Sequence, residues 1–327
     1  MRTKGLQDLH GGRRFHADEA LACFLLKQLP RFKDAKIIRT RDPDVIESAD
    51  IVVDVGAICD PERNRYDHHQ RDFHETFTKK HQTKLSSAGL VYKYFGEEII
   101  ELFCNGISKE DLKTIYNVLY ERFIEGIDGN DNGIKQYGDA IPLYQSNTDL
   151  PSRINFLNPE WNEEQDVNFD ELFQKAMGLV GQELMCHLNF LLKSWLPARS
   201  IVIDALNNRF AVDQSGLIVE LTRNCPWKSH LFNLEKELGL QEKELPLYVI
   251  YECDGSWRVQ AIPLHEQSFT LRKGLPESWR GLRAEELSKV SGIPSCIFCH
   301  ATGFVGGNKN KVGAFEMAKT SLKLPET

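Results

Sequence analysis

Apolar and polar positions alternate in blocks along the first half of the chain. A strongly apolar segment over residues 20–29 ends at Pro30 and predicts a helix with acids in or just before its first turn. Residues 35–40 and 51–55 predict strands, and residues 42–47 between them predict a short helix. Because helices alternate with apolar strands, we predict a mostly parallel α/β sheet, in which ligands gather beyond the carboxyl ends of the strands.

Serine caps indicate two further helices. Ser86 and Ser108 are typical N-cap residues, and each precedes apolar positions at helical spacing. The helix after Ser108 leads into an acid-rich run over residues 125–133. We therefore expect those acids to emerge at the end of that helix.

The chain turns polar in its middle, where prolines, asparagines and glutamates are frequent, and we place a domain boundary there. The predicted domains are 1–145 and 146–327. The second begins with a long predicted helix over 169–195, which Pro197 ends. Strands are predicted at 200–205, 209–212, 217–221, 248–251 and 257–260. An Asp254-Gly255 turn predicts a hairpin, so this domain is expected to be mixed α+β.

Composition narrows the class of protein. A chain of 327 residues with 41% hydrophobic and 27% charged residues has enough apolar material for two cores. Because no apolar run reaches the roughly 18 residues of a membrane span and no signal peptide is visible, we expect an intracellular protein without a membrane partner. The eight cysteines stand mostly singly among apolar residues, as reduced, buried thiols do. A net charge of −7 argues against coating long nucleic acid but allows binding of one strand end.

Clusters of histidine and aspartate in the first half form the candidate chemical site. The candidate ligands are His10, His16, Asp18, Asp54, Asp67, His68, His69, Asp128 and Asp131. Imidazole and carboxylate without thiolate suit manganese or magnesium, and also cobalt or zinc. A bridging carboxylate such as Asp54 can hold two ions about 3.5–4 Å apart, which suits hydrolysis of phosphodiesters or phosphoanhydrides. The alternative is that these residues are helix caps, turn acids and surface histidines.

Other candidate groups lie outside these clusters. The two thiols of Cys296-Ile297-Phe298-Cys299-His300 are interpreted as structural, because they flank a β-like pair and lack a second ligand pair. Gly306 and Gly307, followed by Lys309 and a helical segment, either cradle a phosphate on backbone N–H groups or form a plain turn. Arg14 either neutralises a phosphate near the first cluster or is solvated surface.

Several stretches together carry a family resemblance. They are Phe15-His16-Ala17-Asp18-Glu19, Val52-Val53-Asp54-Val55-Gly56, Arg65-Tyr66-Asp67-His68-His69-Gln70, Lys84-Leu85-Ser86-Ser87-Ala88-Gly89, Ser194-Trp195-Leu196-Pro197 and Gly303-Phe304-Val305-Gly306-Gly307. On these residues the chain resembles the Myg (melanocyte proliferating gene) family of DHH-type phosphoesterases and exonucleases. The resemblance implies an N-terminal DHH-like, metal-binding catalytic domain, a C-terminal substrate-binding domain, and an active site in the cleft between them.

The resemblance also implies roles for individual residues. The implied metal ligands are His16, Asp18, Asp54, His68 and Asp128, with Asp131 as the alternative to Asp128. His69 matches the acid near the leaving oxygen, and Asp67 its support. For the second domain our hypothesis, separate from these implied roles, is that His300 and the Gly306-Gly307 loop hold the strand's end. The family pattern before Phe15 resembles Thr-His-Asn-Gly-x-Phe-His, but here the stretch lacks the Asn and is one residue longer, which leaves His10 undecided.

The residue clusters predict a metal-dependent phosphodiesterase, and the resemblance implies more specifically a 3′–5′ exoribonuclease acting on single-stranded 3′ ends in RNA processing. Two manganese ions, or magnesium, would activate the attacking water. The implied location is the nucleus, the mitochondrion or the cytoplasm. Two alternatives stay open: the same centre could hydrolyse a small phosphate compound such as pyrophosphate, or the chain could be a non-catalytic scaffold with a degraded site.

Overall fold

The structure is a computed structural model that describes residues 2–3, 6–7, 13–141, 143–162 and 167–324, with the backbone alone at 2–3, 6–7 and 13. The chain forms two compact units, Met1–Leu192 and Lys193–Thr327. This division falls later than the sequence-based boundary at 145–146. The reason is that the long helix Phe169–Phe190 packs against the helix Ala17–Gln28 and so belongs to the first unit.

Helices surround the core of the first unit. They are α1 (Ala17–Gln28), α2 (Pro43–Glu47), α3 (Ser87–Phe103), α4 (Lys109–Leu119), α5 (Glu125–Asp131), α6 (Leu150–Asn155) and α7 (Phe169–Phe190). A π-helical turn, Tyr120–Ile124, joins α4 to α5. The apolar residues of α1 are almost all buried, because α1 packs against both α3 and α7.

The predicted helix starts in the first unit are confirmed by their capping bonds. Ser86 Oγ accepts a hydrogen bond from the Ala88 N–H, and Ser108 Oγ accepts one from the Asp111 N–H. Each bond satisfies a backbone donor that has no partner inside the helix. Asp42 caps α2 in the same way, through the N–H of Asp44.

A mostly parallel sheet, as predicted, lies in the first unit. Its strands are β1 (Arg2–Thr3), β4 (Ile38–Arg39), β5 (Val52–Val53), β6 (Cys59–Asp60) and β7 (Arg65–Tyr66), in the order β4-β1-β5-β7-β6. All neighbours are parallel except β6 and β7. The strands β2 (Leu6–Gln7) and β3 (Arg13–Arg14) pair separately. Because β5 and β7 are adjacent and parallel, the segments that follow them leave the sheet at the same edge.

The second unit is built on a mixed five-stranded sheet. Its strands are β8 (Ile218–Glu220), β9 (Tyr248–Cys253), β10 (Ser256–Ala261), β11 (Cys296–Cys299) and β12 (Val305–Asn308), in the order β11-β12-β10-β9-β8. Its helices are α8 (Leu196–Asn207), α9 (Arg209–Val212), α10 (Lys228–Glu237), α11 (Ala284–Ser291) and α12 (Lys311–Lys323). The predicted hairpin joins β9 to β10, and both turn residues, Asp254 and Gly255, have positive φ as that turn requires.

The predicted strands at 200–205 and 209–212 were wrong, because both segments are helical. Residues Val202, Ala205 and Leu206 are buried at a spacing that fits one helix face as well as a short apolar strand. Pro197 does not end a helix; it lies in the first turn of α8, which follows directly on a π-helical turn, Leu191–Trp195.

All eight cysteines are free. Cys23, Cys296 and Cys299 are buried, whereas Cys186 is exposed and the remaining thiols are half-buried. Cys296 and Cys299 both lie in β11, as expected for structural thiols. In the described ranges of the chain, no helix has both the length and the apolar character needed to cross a bilayer.

Candidate metal centre

Asp54 follows β5 and is the acid placed at the carboxyl edge of the sheet. Its backbone φ is +60°, in the left-handed region that residues other than glycine rarely adopt. The Asp54 N–H donates to the Tyr66 carbonyl at 3.0 Å, which ties the end of β5 to β7. The side chain is 2% exposed, and Oδ1 accepts a 3.0 Å hydrogen bond from the Ser87 hydroxyl in the first turn of α3. Strained backbone of this kind is often found at functional sites.

His16 and Asp18 lie at the N-terminus of α1. His16 is the N-cap residue, and its backbone N–H donates to Oε2 of Glu19 at 2.9 Å. Asp18 is completely buried, and neither of its carboxylate oxygens has a hydrogen-bond partner among the described residues. The positive end of the helix dipole favours these acids but does not replace the missing partners.

The segment Asp67-His68-His69 follows β7 at the same edge of the sheet. Oδ2 of Asp67 accepts from the Ala57 N–H at 2.6 Å, and its Oδ1 accepts from the His69 N–H at 3.0 Å and lies 2.7 Å from His69 Nδ1. Both Asp67 oxygens are therefore used to hold neighbouring groups. Burial acts to raise the pKa of Asp67, but these hydrogen bonds, His69 first, lower it below its usual range. An Nδ1–H bond to Asp67 leaves Nε2 as the reactive nitrogen of His69.

His68 lies between two carboxylates. Its Nε2 is 3.0 Å from Oδ2 of Asp131 and 3.4 Å from Oδ1 of Asp54, so a protonated ring pairs with both carboxylates. The ring is buried, with 4% of the side chain exposed.

Three overlapping groups of potential ligand atoms converge at this edge. They are Asp54 with His68 and His69, His16 with Asp18 and Asp131, and Asp18 with Glu19 and Asp54, and the atoms of each group lie within 4.8 Å of one another. Asp18 and Asp54 each belong to two groups. The structure thus brings residues that are far apart in sequence into one cluster of imidazole and carboxylate.

The two alternative acids of the fourth motif are separated by the structure. Asp131 lies in the cluster, whereas Asp128 does not. The Asp128 side chain is completely buried, and it accepts hydrogen bonds from the N–H and hydroxyl of Ser86, from the Gly89 N–H and from the Tyr120 hydroxyl. Burial nevertheless raises the pKa of Asp128 to about 7. Asp128 thus joins α3 to α5, and its oxygens have no free position for an ion.

The carboxylates of the cluster are crowded. Burial, and then the charges of Asp131 and Asp54, hold the pKa of Asp18 well above its usual range. Burial and the charge of Asp54 likewise raise the pKa of Glu19 to about 8. Burial acts to lower the pKa of His68, but Asp131 and Asp54 raise it to about 9. A divalent cation would compensate the same negative charge, and this donor set of oxygen and imidazole nitrogen fits manganese or magnesium.

Two residues of the centre were missed by the sequence reasoning. Glu19 was interpreted only as an acid near the helix start, although its position three residues after the N-cap is that of a capping box. Ser87 follows the N-cap Ser86, and nothing in the local sequence indicates that its hydroxyl reaches Asp54.

Arg14 and His10 were the remaining candidates near the first cluster. Arg14 ends β3, and its carbonyl accepts a hydrogen bond from the Arg39 side chain at 3.3 Å. His10 lies outside the described residues.

The candidate substrate contacts of the second unit are arranged differently from the prediction. Gly306 and Gly307 lie inside β12, paired with β10 on one side and β11 on the other, so they do not form an exposed loop at a helix start. Lys309 follows β12, and its N–H bonds to the Ser295 carbonyl. His300 is exposed, with Nδ1 3.0 Å from the Thr302 hydroxyl.

Comparison with known proteins places this chain in a family. Residues 9–322 match the MYG1_exonuc model, described as "Uncharacterised protein family (UPF0160)". The chain is 50% identical to the MYG1 exonuclease of Homo sapiens over 322 residues, 96% of this chain and 84% of that protein. It is 50% identical to a MYG1 protein of Dictyostelium discoideum over 325 residues, 97% of each chain. A MYG1 protein of Saccharomyces cerevisiae is 45% identical over 321 residues, 96% of this chain and 94% of that protein.

Among solved structures, RecJ from Thermus thermophilus, crystallised in complex with Mn²⁺, is 12% identical. The match covers 99% of this chain and 52% of that one, with a TM-score of 0.26.

The first unit is thus an α/β fold that carries a centre of histidines and carboxylates at the edge of its sheet. The chain belongs to the MYG1 exonuclease family, as its motifs predicted.

Proposed function

We propose that this protein is a metal-dependent phosphodiesterase, a 3′–5′ RNA exonuclease that acts in RNA processing. The observation that carries the proposal is Asp18, a fully buried carboxyl group with no backbone or hydroxyl donor in the described structure, beside Asp54 and Asp131. A buried carboxylate without a partner is costly, so it takes up a proton or binds a cation. The name of the human relative, MYG1 exonuclease, supports a nucleic acid as the substrate.

In this proposal five side chains hold two ions, with manganese the expected metal. They are His16, Asp18, Asp54, His68 and Asp131. Asp54 would be the bridging ligand, as the sequence analysis expects, and Asp18 likewise belongs to two of the three groups in the cluster. Bound ions of this kind lower the pKa of a coordinated water and stabilise charge on the phosphate oxygens.

His69 is the proposed proton donor to the leaving oxygen. Asp67 fixes the ring by accepting from its Nδ1, so that Nε2 carries the transferable proton when the ring is protonated. The His69 side chain is 42% exposed, whereas that of His68 is 4% exposed. Access to substrate therefore favours His69 for proton transfer and His68 for metal binding.

The proposed substrate is single-stranded RNA with a free 3′ end. In the second unit, the exposed His300 and Lys309 remain the candidates for contact with the strand, and Arg14 the candidate in the first. Gly306 and Gly307 are buried inside β12, so in this proposal they support the strand and do not contact the RNA themselves.

Single-turnover cleavage tests this proposal. RNA labelled at the 3′ end should release labelled mononucleotide at once in the presence of Mn²⁺, whereas RNA labelled at the 5′ end should shorten as a ladder. Asp54→Asn suits the test, because asparagine tolerates the left-handed backbone and removes only the charge. His68→Ala removes a proposed ligand, and Asp50→Asn is the control, an exposed acid near the same strand.

We expect Asp54→Asn and His68→Ala to lose cleavage and Asp50→Asn to keep it. Equal cleavage by all four proteins would overturn the proposed centre. Hydrolysis of pyrophosphate or a dinucleotide without cleavage of longer RNA would instead assign the centre to a small phosphate substrate.

A further inference from the structure

Glu19 is a carboxylate of the cluster, and helix capping accounts for only one of its two oxygens. The side chain is completely buried. Oε2 accepts a 2.9 Å hydrogen bond from the backbone N–H of His16, which is the usual reach of an N3 glutamate back to the N-cap. The second oxygen, Oε1, is buried as well and has no hydrogen-bond partner among the described residues.

The Glu19 carboxylate lies in a markedly acidic environment. Ligand atoms of Glu19, Asp18 and Asp54 lie within 4.8 Å of one another, and all three side chains are buried. A capping role needs one carboxylate oxygen and no nearby acids. Holding a second oxygen without a donor beside two further carboxylates is unfavourable unless the charge is neutralised, by protons in the metal-free protein or by a cation shared among the three groups.

We propose that Glu19 is a ligand of the metal centre as well as the cap of α1. Oε2 holds the backbone of His16 at the start of the helix, and Oε1 supplies an oxygen to a divalent cation held by Asp18 and Asp54. This inference rests on the metal centre proposed above, but it does not depend on the reaction or the substrate.

The chain contains a matched control for this residue. Glu244 occupies the same capping position, and its Oε2 accepts from the Gln241 N–H at 2.8 Å. Unlike Glu19, it is exposed and lies in the second unit. Glu244→Gln therefore reports the effect of the substitution on a cap without any effect on the cluster.

The experiment is calorimetric titration of the metal-stripped full-length protein with MnCl₂. Glu19→Gln keeps an oxygen that can accept from the His16 N–H and removes the charge, whereas Glu19→Ala removes both. We expect both variants to bind Mn²⁺ at least about tenfold more weakly than wild type, the size typical for loss of a residue that supports a metal site. Glu244→Gln should bind like wild type.

Thermal unfolding separates the ligand role from a purely structural one. Without metal, Glu19→Gln should melt at or above the wild-type temperature, because the amide cannot ionise in the buried, crowded cluster. With Mn²⁺ its rise in Tm should be smaller than that of wild type. Glu19→Ala should melt lower without metal, because the cap is lost.

Wild-type Mn²⁺ affinity and a wild-type rise in Tm for Glu19→Gln would overturn the inference and leave the rest of the centre in place. Failure of the wild-type protein itself to bind Mn²⁺ would overturn the centre as a whole. The two results are distinct, and neither requires a nuclease assay.

Discussion

The hydroxyl of Ser87 donates a 3.0 Å hydrogen bond to Oδ1 of Asp54, which connects the first turn of α3 to the end of β5. Both groups are buried. The bond leaves Asp54 with a fixed orientation toward His68 and His69. It explains why a serine follows the N-cap serine of α3, where the helix itself needs only one cap.

We expect Ser87→Ala to lower Mn²⁺-dependent cleavage by about tenfold while the protein stays folded, because a residue that orients a ligand typically contributes about 10–100-fold to affinity or activity. Initial rates measured over a range of Mn²⁺ concentrations check this. Ser200→Ala is the control, since that exposed hydroxyl bonds only to a carbonyl within α8. A Ser87→Ala enzyme with the wild-type rate at every Mn²⁺ concentration would show that the bond does not orient Asp54.

Substitution of Asp131 and substitution of Asp128 should have different effects on the affinity for Mn²⁺. Asp131→Asn should weaken Mn²⁺ binding by about a hundredfold or more, since it removes a carboxylate from the cluster. Asp128→Asn should retain wild-type affinity, because both Asp128 oxygens are engaged by Ser86, Gly89 and Tyr120. Equilibrium dialysis with Mn²⁺ measures both. The reverse ranking of the two variants would restore Asp128 as the ligand.

Asp128 should also give the protein a distinctive dependence of stability on pH. Burial raises its folded-state pKa from 3.8 to about 7. The folded state therefore holds a proton that the unfolded state has released, and the stability from this group is complete below about pH 4 and is lost as pH rises through about 7. In Asp128→Asn the amide keeps the Ser86 and Gly89 bonds and can donate to Tyr120, without titrating.

The measurement is urea unfolding of both proteins in metal-free buffer between about pH 4 and pH 7.5, with comparison of their free energies of unfolding. Relative to Asp128→Asn, the wild type should lose a few kcal/mol across this range, since each unit of pKa shift corresponds to about 1.4 kcal/mol. Parallel curves for the two proteins would mean that Asp128 is ionised throughout.

Gly89 in α3 lies directly against the Asp128 carboxylate. A Cβ at this position would overlap the carboxylate, whereas a Cβ at Gly178 in α7 would meet nothing within 4 Å. Gly89→Ala should therefore lower the free energy of unfolding by roughly 1–3 kcal/mol through overpacking. Gly178→Ala should raise it by roughly 0.5–1 kcal/mol through helix propensity. Thermal and urea unfolding check both, and stabilisation by Gly89→Ala would contradict the close packing of α3 on α5.

Local signals predicted most of the first unit. The serine caps of α3 and α4 act within three residues, so the sequence shows both partners of each bond. The apolar run before Asp54 was likewise sufficient to place that acid at the edge of a parallel sheet. Short apolar runs in the second unit fit either a strand or a buried helix face. Over residues 200–212 the helical structure depends on packing against other segments, which the local sequence does not show.

The sequence predicts which residue types form the metal centre better than it predicts which individual residues do. Asp128 and Asp131 lie three residues apart in α5, where either side chain is compatible with the motif. The choice depends on Tyr120 and Ser86 engaging one of them and His68 approaching the other, which are contacts between distant segments. The same holds for Gly306 and Gly307, whose strand pairing with β10 depends on residues far earlier in the chain.

The left-handed backbone of Asp54 restricts how this family can lose its activity. Only glycine, asparagine and aspartate adopt that conformation at little cost, so most replacements at this position would damage folding together with chemistry. A relative that has lost the carboxylate at this position and remains folded should therefore carry Asn or Gly there. Asn or Gly at this position would therefore indicate, from sequence alone, a family member whose metal centre has lost this ligand.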